Sequence, residues 1–295
     1  MRLITRADLD GMTCALLLKE VEPIDVVDFA HPKDVQDGKV AVSGDDILAN
    51  LPYDERAALW FDHHVSQADF SWNPNMRGAY DVAPSAARVI ANHYKSPKFD
   101  RYHTLLEETD RLDAAILTRD DIVNPQGWIL IGYTLDPRSM LPKYQDYFRH
   151  VMELASSKTP EEILADPQVK LRVDALQAQE SAFLAHLEAD SHLDGNVIVT
   201  DVRGKTDIPT GNRFLIYTLF PEGNVSMRIA DGFGGKVVSI QLGHSILNRT
   251  CHTNVGDLLG GYGGGGHEGA GTCQPAHDDA ERVIAEILAT LHQNG

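Results

Sequence analysis

Short apolar runs alternate with amphipathic segments over the first hundred residues. Residues 3–5, 24–29, 40–42 and 57–61 have the composition of strands, and residues 12–20 and 84–94 have helical spacing. Strands that alternate with helices predict an α/β fold, with a mostly parallel sheet covered by helices on both faces.

A second pattern begins near residue 100. Residues 100–190 read as helical, and the long, polar-rich stretch 168–188 suits a connector. Strands return at 197–202, 225–229 and 236–242, a helix is expected at 214–219, and another closes the chain at about 277–292. We therefore expect two domains, 1–190 and 191–295.

The composition narrows the class of protein. The 295 residues carry a net charge of −17, with 43 acidic against 26 basic side chains, which disfavours binding to long nucleic acids. The sparse cysteines Cys14, Cys251 and Cys273 lack CxxC spacing and suggest reduced thiols. No apolar stretch approaches the roughly 20 residues of a membrane span, so a soluble cytoplasmic protein with no membrane partner is expected.

Ionisable residues stand where two predicted strands end. Asp8 and Asp10 follow the first strand, and Asp62, His63 and His64 close the apolar run at 57–61. Because ligands bind at the carboxyl ends of parallel strands, both groups are expected at one edge of the sheet. Carboxylates and imidazoles are ligands for Mn²⁺, Zn²⁺ or Mg²⁺. Taken alone, an Asp-x-Asp pair more often caps a helix, and a His-His pair is more often a surface feature or a hydrogen-bonded core feature.

A third acidic cluster lies in the helical region. Asp110 and Asp113 are one turn apart, so one helix face can present both carboxylates. Asp110 by itself reads as part of a solvated helix face, and its functional interpretation depends on the other two clusters.

The most biased segment is the glycine-rich run 260–271. Glycine has no Cβ, so a ligand can approach the backbone closely, and free N–H groups there can bind phosphate. Glycine runs usually mark flexible linkers, but a following His-Glu-Gly-Ala-Gly and a helix favour an ordered loop.

Together these motifs resemble the DHH phosphoesterase superfamily, in its DHH–DHHA1 branch. The resemblance rests on four motifs: Asp8-Leu9-Asp10-Gly11, Asp62-His63-His64, Asp110 and the GGGGHEGAG sequence at 263–271. The resemblance implies an N-terminal parallel-sheet DHH domain, a helical connector and a smaller C-terminal α/β DHHA1 domain, with the active site in the cleft between them.

The resemblance also implies metal-dependent hydrolysis of a short phosphorylated substrate. Members typically use two Mn²⁺ ions that share a bridging carboxylate, although Mg²⁺ or another divalent ion is compatible. Linear dinucleotides or nanoRNA, cut to mononucleotides, are the expected substrates. The alternatives are an exopolyphosphatase-like hydrolase and a nucleotide-binding module without turnover. Family members often form dimers, so a homodimer stays open.

Site residues follow from the same resemblance. Asp10 and Asp110 would complete one metal site with His63, and Asp8 would belong to the other site. His64 would contact phosphate, and Asp62 would orient the cluster. The residues implied to bind substrate lie in the C-terminal domain: Arg228, Gly264, Gly265, Gly266 and His267.

Two positions depart from the family pattern. Arg6 stands where the family has a histidine, and Asn50 is the best match to the bridging aspartate, with Asp45 or Asp46 as alternatives. Arginine stays protonated and cannot ligate a metal. Three readings stay open: one metal with Arg6 supplying charge for catalysis, a different ligand set, or a site that binds without cutting.

Overall fold

The structure is a computed structural model that describes residues 1–64, 67, 77–135 and 142–294. Its contacts divide the chain into two compact units. Unit 1 contains Met1–Ile116 and Pro125–Asp174, and unit 2 contains Leu117–Asn124 and Ala175–Gly295.

Unit 1 is built on a parallel sheet, as the alternation of strands and helices predicts. The described strands are β1 (Arg2–Thr5), β2 (Val26–Phe29), β3 (Asp46–Ala49), β4 (Leu59–Asp62) and β5 (Arg77–Tyr80). Their order across the sheet is β2-β1-β3-β4-β5, and every neighbouring pair is parallel.

Helices surround this sheet. Those of unit 1 are α1 (Leu9–Val21), α2 (Pro32–Gln36), α3 (Ala86–Tyr94), α4 (His103–Asp113), α6 (Gly127–Thr134), α7 (Pro142–Ala155) and α8 (Pro160–Leu164). Alternate strand residues enter different apolar clusters: Ile47 packs with residues of α1, α3 and α4, and Leu48 packs with Val35 of α2. The strands are therefore buried on both faces, which explains their continuous apolar runs.

Two sequence-based expectations differ from the structure of unit 1. Residues 40–42 do not form a strand, although Val42 is buried against the cluster of Leu48 and Trp60. These residues are apolar because they pack on the sheet, without pairing with it. The predicted domain boundary at 190 is the end of helix α9 (Pro167–Asp190), whereas the contacts divide the chain inside that helix, after Asp174.

Unit 2 contains a mixed sheet. Its described strands are β6 (Ser191–Asp194), β7 (Val197–Asp201), β8 (Val225–Asp231), β9 (Val238–His244), β10 (Gly265–His267) and β11 (Ala270–Cys273). They lie in the order β10-β11-β9-β8-β7-β6, and only the β7–β8 pair is parallel. The helices are α5 (Arg119–Val123), α10 (Leu215–Leu219), α11 (Val255–Gly260) and α12 (Ala280–Asn294).

The alternating sequence of β8 separates the two faces of this sheet. Val225, Met227 and Ile229 are buried in a core that includes Ile287 of α12, and Arg228 points to the opposite face. The glycine-rich segment forms the β10–β11 hairpin and is not a flexible linker. Within the described residues, no helix combines the length and apolar content that crossing a membrane requires.

Candidate functional site

Neighbouring strands deliver the candidate residues of unit 1 to one edge of the sheet. Arg6 directly follows β1, Asn50 directly follows β3, and Asp62 is the last residue of β4 with His63 after it. Because β1, β3 and β4 are adjacent and parallel, their carboxyl ends lie at the same edge. This is the arrangement expected from the apolar runs and the polar residues that end them.

Asp10 is a buried carboxylate held by the start of a helix. It is 1% exposed, and its oxygens accept hydrogen bonds of 2.9 and 2.8 Å from the N–H groups of Ala86 and Ala87. These are the first residues of α3, where backbone N–H groups lack partners within the helix. Burial, together with the nearby charge of Asp113, raises the pKa of Asp10 to about 7.

His63 faces two carboxylates. Its Nδ1 donates to the carbonyl oxygen of Ala83 at 3.0 Å, which leaves Nε2 as the atom directed into the site. Nε2 lies 3.1 Å from Oδ2 of Asp113 and 3.9 Å from Oδ2 of Asp10. The short contact with Asp113 is an ion-pair distance without hydrogen-bond geometry, so Nε2 is buried without a hydrogen-bond partner among the described residues.

The electrostatics of His63 follow from this geometry. Burial by itself would lower the pKa of the imidazole, but the contact with Asp113 and the charge of Asp10 outweigh burial and raise it to about 9. A bound cation would take the place of this proton between the same carboxylates.

The ligand atoms of Asp10, His63 and Asp113 lie within 4.8 Å of one another. Two carboxylate oxygens and an imidazole nitrogen are donors that divalent cations use in proteins. The imidazole is fixed through its other nitrogen, as metal-binding histidines usually are. These three residues, called here the metal group, therefore fit a divalent cation.

Asp113 belongs to the metal group, although the sequence pattern favours Asp110. Oδ1 of Asp110 accepts a hydrogen bond of 2.6 Å from Ser85, and Oδ2 accepts one of 2.7 Å from Nε of Arg88. The structure therefore brings Asp113, and not Asp110, to His63. The two aspartates are one turn apart on α4, and the sequence holds no signal that separates them.

A second pair of ionisable residues adjoins the metal group. Nδ1 of His64 lies 2.7 Å from Oδ1 of Asp62, which is 1% exposed. The other oxygen of Asp62 has no hydrogen-bond partner among the described residues. Asp62 thus holds one nitrogen of the His64 ring, and its role in orienting the cluster stays a prediction.

Arg6, Asp8 and Asn50 form a third group, called here the arginine group. Nε of Arg6 lies 3.1 Å from Oδ2 of Asp8, and Nδ2 of Asn50 donates to Oδ1 of Asp8 at 3.0 Å. Asn50 lies directly after β3, whereas the alternative Asp46 pairs with Arg2 at the start of that strand. The neutral amide of Asn50 therefore stands beside Asp8.

In unit 2, Arg228 is a half-buried guanidinium on β8. It stands between Thr200 of β7 and Gln241 of β9 in the strand register. Burial lowers the pKa of Arg228, and no described residue forms a hydrogen bond or ion pair with it. A partly desolvated charge without a partner is typical of an anion-binding position.

The three predicted loop glycines have different surroundings. A Cβ on Gly264 would lie 2.2 Å from the carbonyl oxygen of Thr272, and one on Gly266 would lie 2.2 Å from that of Ala270. Gly265 faces open space. The outer two glycines are thus required by the hairpin itself, whereas the position of a Cβ on Gly265 is unobstructed. His267 is exposed at the end of β10.

Comparison with known proteins gave matches among solved structures. No protein-family model and no curated protein matches the chain. The chain is similar to the pGpG-specific phosphodiesterase PggH from Vibrio cholerae, with 37% identity, a TM-score of 0.84, and coverage of 100% of this chain and 99% of that chain. It also resembles RecJ from Thermus thermophilus, solved in complex with Mn²⁺, with 12% identity, a TM-score of 0.53, and coverage of 99% and 52%. The second likeness concerns the fold.

Proposed function

Because the chain belongs to the DHH phosphoesterase superfamily, in its DHH–DHHA1 branch, we propose that it is a divalent-metal-dependent phosphodiesterase of linear dinucleotides. The substrate we propose is pGpG or a close relative. Water would add across the bond between phosphorus and the 3′ oxygen, and the leaving oxygen would take up a proton. The products would be two nucleoside 5′-monophosphates.

The observation that carries this proposal is the buried Nε2 of His63, which faces the carboxylates of Asp10 and Asp113 and has no hydrogen-bond partner among the described residues. We propose Mn²⁺ as the ion, with Mg²⁺ as the alternative, since both accept oxygen and nitrogen ligands. When bound, a divalent ion stabilises the negative charge that develops on a phosphoryl oxygen.

The remaining residues would bind and orient the substrate. His64, held by Asp62 through Nδ1, would contact the scissile phosphate. Arg228 would bind a phosphate through its unengaged guanidinium, and the N–H of Gly265 and the ring of His267 would contact the same end of the substrate. A short substrate agrees with the net charge of −17, which repels long polyanions.

Other expectations from the resemblance stay predictions. They are hydrolysis of polyphosphate, a homodimer and a cytoplasmic location. Each concerns a property that the metal group and the arginine group do not determine.

The test is product formation from pGpG and from other 5′-phosphorylated dinucleotides, followed by chromatography with Mn²⁺ and with chelator. GMP that appears only with Mn²⁺ is the expected result. His63→Ala should abolish turnover without unfolding, and His103→Ala is the matched control because His103 is exposed and contacts Glu107. Binding of pGpG without any GMP would overturn the proposal in favour of a module that binds without cutting.

A further inference from the structure

The arginine group adjoins the metal group, and it already contains a fixed positive charge. Asp8 of the arginine group is the N-cap of α1, and Asp10 of the metal group lies in the first turn of the same helix. Arginine remains protonated at every physiological pH, so Arg6 supplies this charge permanently. The site therefore combines a place for a cation with a cation that belongs to the chain.

Both oxygens of Asp8 are engaged. Oδ2 pairs with Arg6 at 3.1 Å, and Oδ1 accepts from the N–H of Gly11 at 2.9 Å and from Asn50 at 3.0 Å. A second metal ion at Asp8 would have to displace donors from this carboxylate and lie beside a guanidinium of like charge.

The backbone holds this arrangement in place. Asn50 has a φ of 56°, a left-handed conformation that asparagine tolerates better than most residues, and it directs a buried amide to Asp8. Gly11 lies so close to the turn after β1 that a Cβ there would meet the carbonyl oxygen of Arg6 at 1.9 Å. The positions of Arg6 and Asn50 are thus built into the fold.

Asn50 also has an oxygen that nothing in the described chain satisfies. Its Nδ2 donates to Asp8, so Oδ1 is an acceptor, and this atom is buried without a hydrogen-bond partner. An unpaired buried acceptor is costly unless a ligand completes it. The arginine group therefore has one buried acceptor that a hydrogen-bond donor of a ligand would satisfy.

The guanidinium of Arg6 has N–H donors that are available to a ligand. Only its Nε is paired in the described structure, and the side chain is 35% exposed. The terminal nitrogens carry N–H groups in the planar arrangement that binds phosphate oxygens.

We propose that unit 1 binds a single divalent ion, at Asp10, His63 and Asp113, and that Arg6 supplies the second positive charge and binds a non-bridging oxygen of the substrate phosphate. This inference rests on the proposed function for the identity of the substrate. The metal count and the phosphate contact are nevertheless properties of the protein without turnover.

The first measurement is the number of Mn²⁺ ions per full chain, by equilibrium dialysis and elemental analysis without substrate. One ion is expected, and Asp113→Asn should reduce the number toward zero. The double variant Arg6→His, Asn50→Asp replaces the guanidinium and the amide by metal-binding groups, and it should bind two. Two ions on the unaltered protein, or one on the correctly folded double variant, would overturn the assignment.

The second measurement is calorimetric binding of GMP to the Mn²⁺-saturated protein. Arg6→Gln should weaken binding at least about tenfold, since a hydrogen bond to a charged group is lost. The matched control is Arg56→Gln, because Arg56 is an exposed arginine that pairs with Asp54, and its affinity should be unchanged. Equal affinity in Arg6→Gln and the unaltered protein would refute the phosphate contact. The ion count involves neither cleavage nor a nucleotide, so it remains decisive if pGpG is not a substrate.

Discussion

The carboxylate of Asp110 accepts a hydrogen bond of 2.6 Å from the hydroxyl of Ser85, which caps the helix that holds Asp10. Ser85 in turn accepts from the N–H of Arg88 in the first turn of α3. Asp110 therefore acts on the metal group through the position of this helix, whereas Asp113 contacts His63 directly.

This difference predicts a ranking of two variants in Mn²⁺ affinity. Asp113→Asn should weaken binding more than about a hundredfold, because it removes a ligand charge. Asp110→Asn should weaken binding about tenfold, the usual effect of losing a residue that supports a ligand. Calorimetric titration with Mn²⁺ measures both. The opposite ranking would mean that Asp110 is the ligand and that the described arrangement changes when the ion binds.

The hairpin glycines allow a comparison within three residues. Gly264→Ala should destabilise the protein by about 1–3 kcal/mol, because its Cβ has no room beside Thr272. Gly265→Ala faces open space and should leave the melting temperature unchanged, but it should raise KM for pGpG if the phosphate approaches this backbone closely. Unchanged KM in Gly265→Ala would exclude a close phosphate contact there.

Arg228 should affect substrate affinity. Arg228→Gln removes a half-buried charge that has no partner in the described chain, so stability should be retained or improved. KM for pGpG should rise at least about tenfold, while kcat changes less, because the lost contact is one of binding. Arg228→Lys should recover part of the affinity. A fall in kcat at constant KM would instead place Arg228 at the scissile phosphate.

A pH-dependent contribution to stability is expected from Asp46, at the other end of β3. Burial would raise the pKa of Asp46, but hydrogen bonds from Arg2 and Ser43 outweigh burial and lower it. Because the pKa in the folded state lies below the ordinary value of about 3.9, the stabilisation is present above that value and disappears as the pH falls through the folded-state pKa.

Urea unfolding of Asp46→Asn should show this dependence. The variant should lose about 2 kcal/mol between pH 5 and 8, the scale of hydrogen bonds to a charged group. The loss should shrink below about pH 4. Asp45→Asn, at an exposed neighbouring position, is the control and should cost nothing at either pH. A loss that is constant with pH would show that packing, and not charge, is responsible.

Much of the fold could be predicted from the sequence because the spacing of apolar residues reflects which faces of a strand or helix are buried. Runs such as 57–61 are apolar throughout since β4 is covered on both faces, and the polar residues after it mark the carboxyl edge of the sheet. The same logic failed at residues 40–42, where Val42 is buried without strand pairing. An apolar run indicates that a segment is buried. It does not show whether the segment forms hydrogen bonds with a neighbouring strand.

The contacts within the candidate site are harder to predict from the sequence. Whether Asp110 or Asp113 reaches His63 depends on the rotation of α4 about its axis and on the presence of Arg88, which engages Asp110. The hydrogen bond from Asn50 to Asp8 is made from a left-handed backbone at Asn50, which the residue type permits but does not require. These are tertiary relationships between segments far apart in the chain.

The division of the chain also constrains how the two units can be taken apart. Residues 117–124 belong to unit 2, although unit 1 precedes and follows them, and the side chain of Asn212 donates to the carbonyl oxygen of Ile122 within unit 2. The polypeptide therefore passes between the units three times. A fragment that begins at Ala175 would lack helix α5, and a single cut in α9 would not release unit 2 whole. Replacing the chain from Ala175 onward would therefore exchange most of unit 2 but keep the original helix α5.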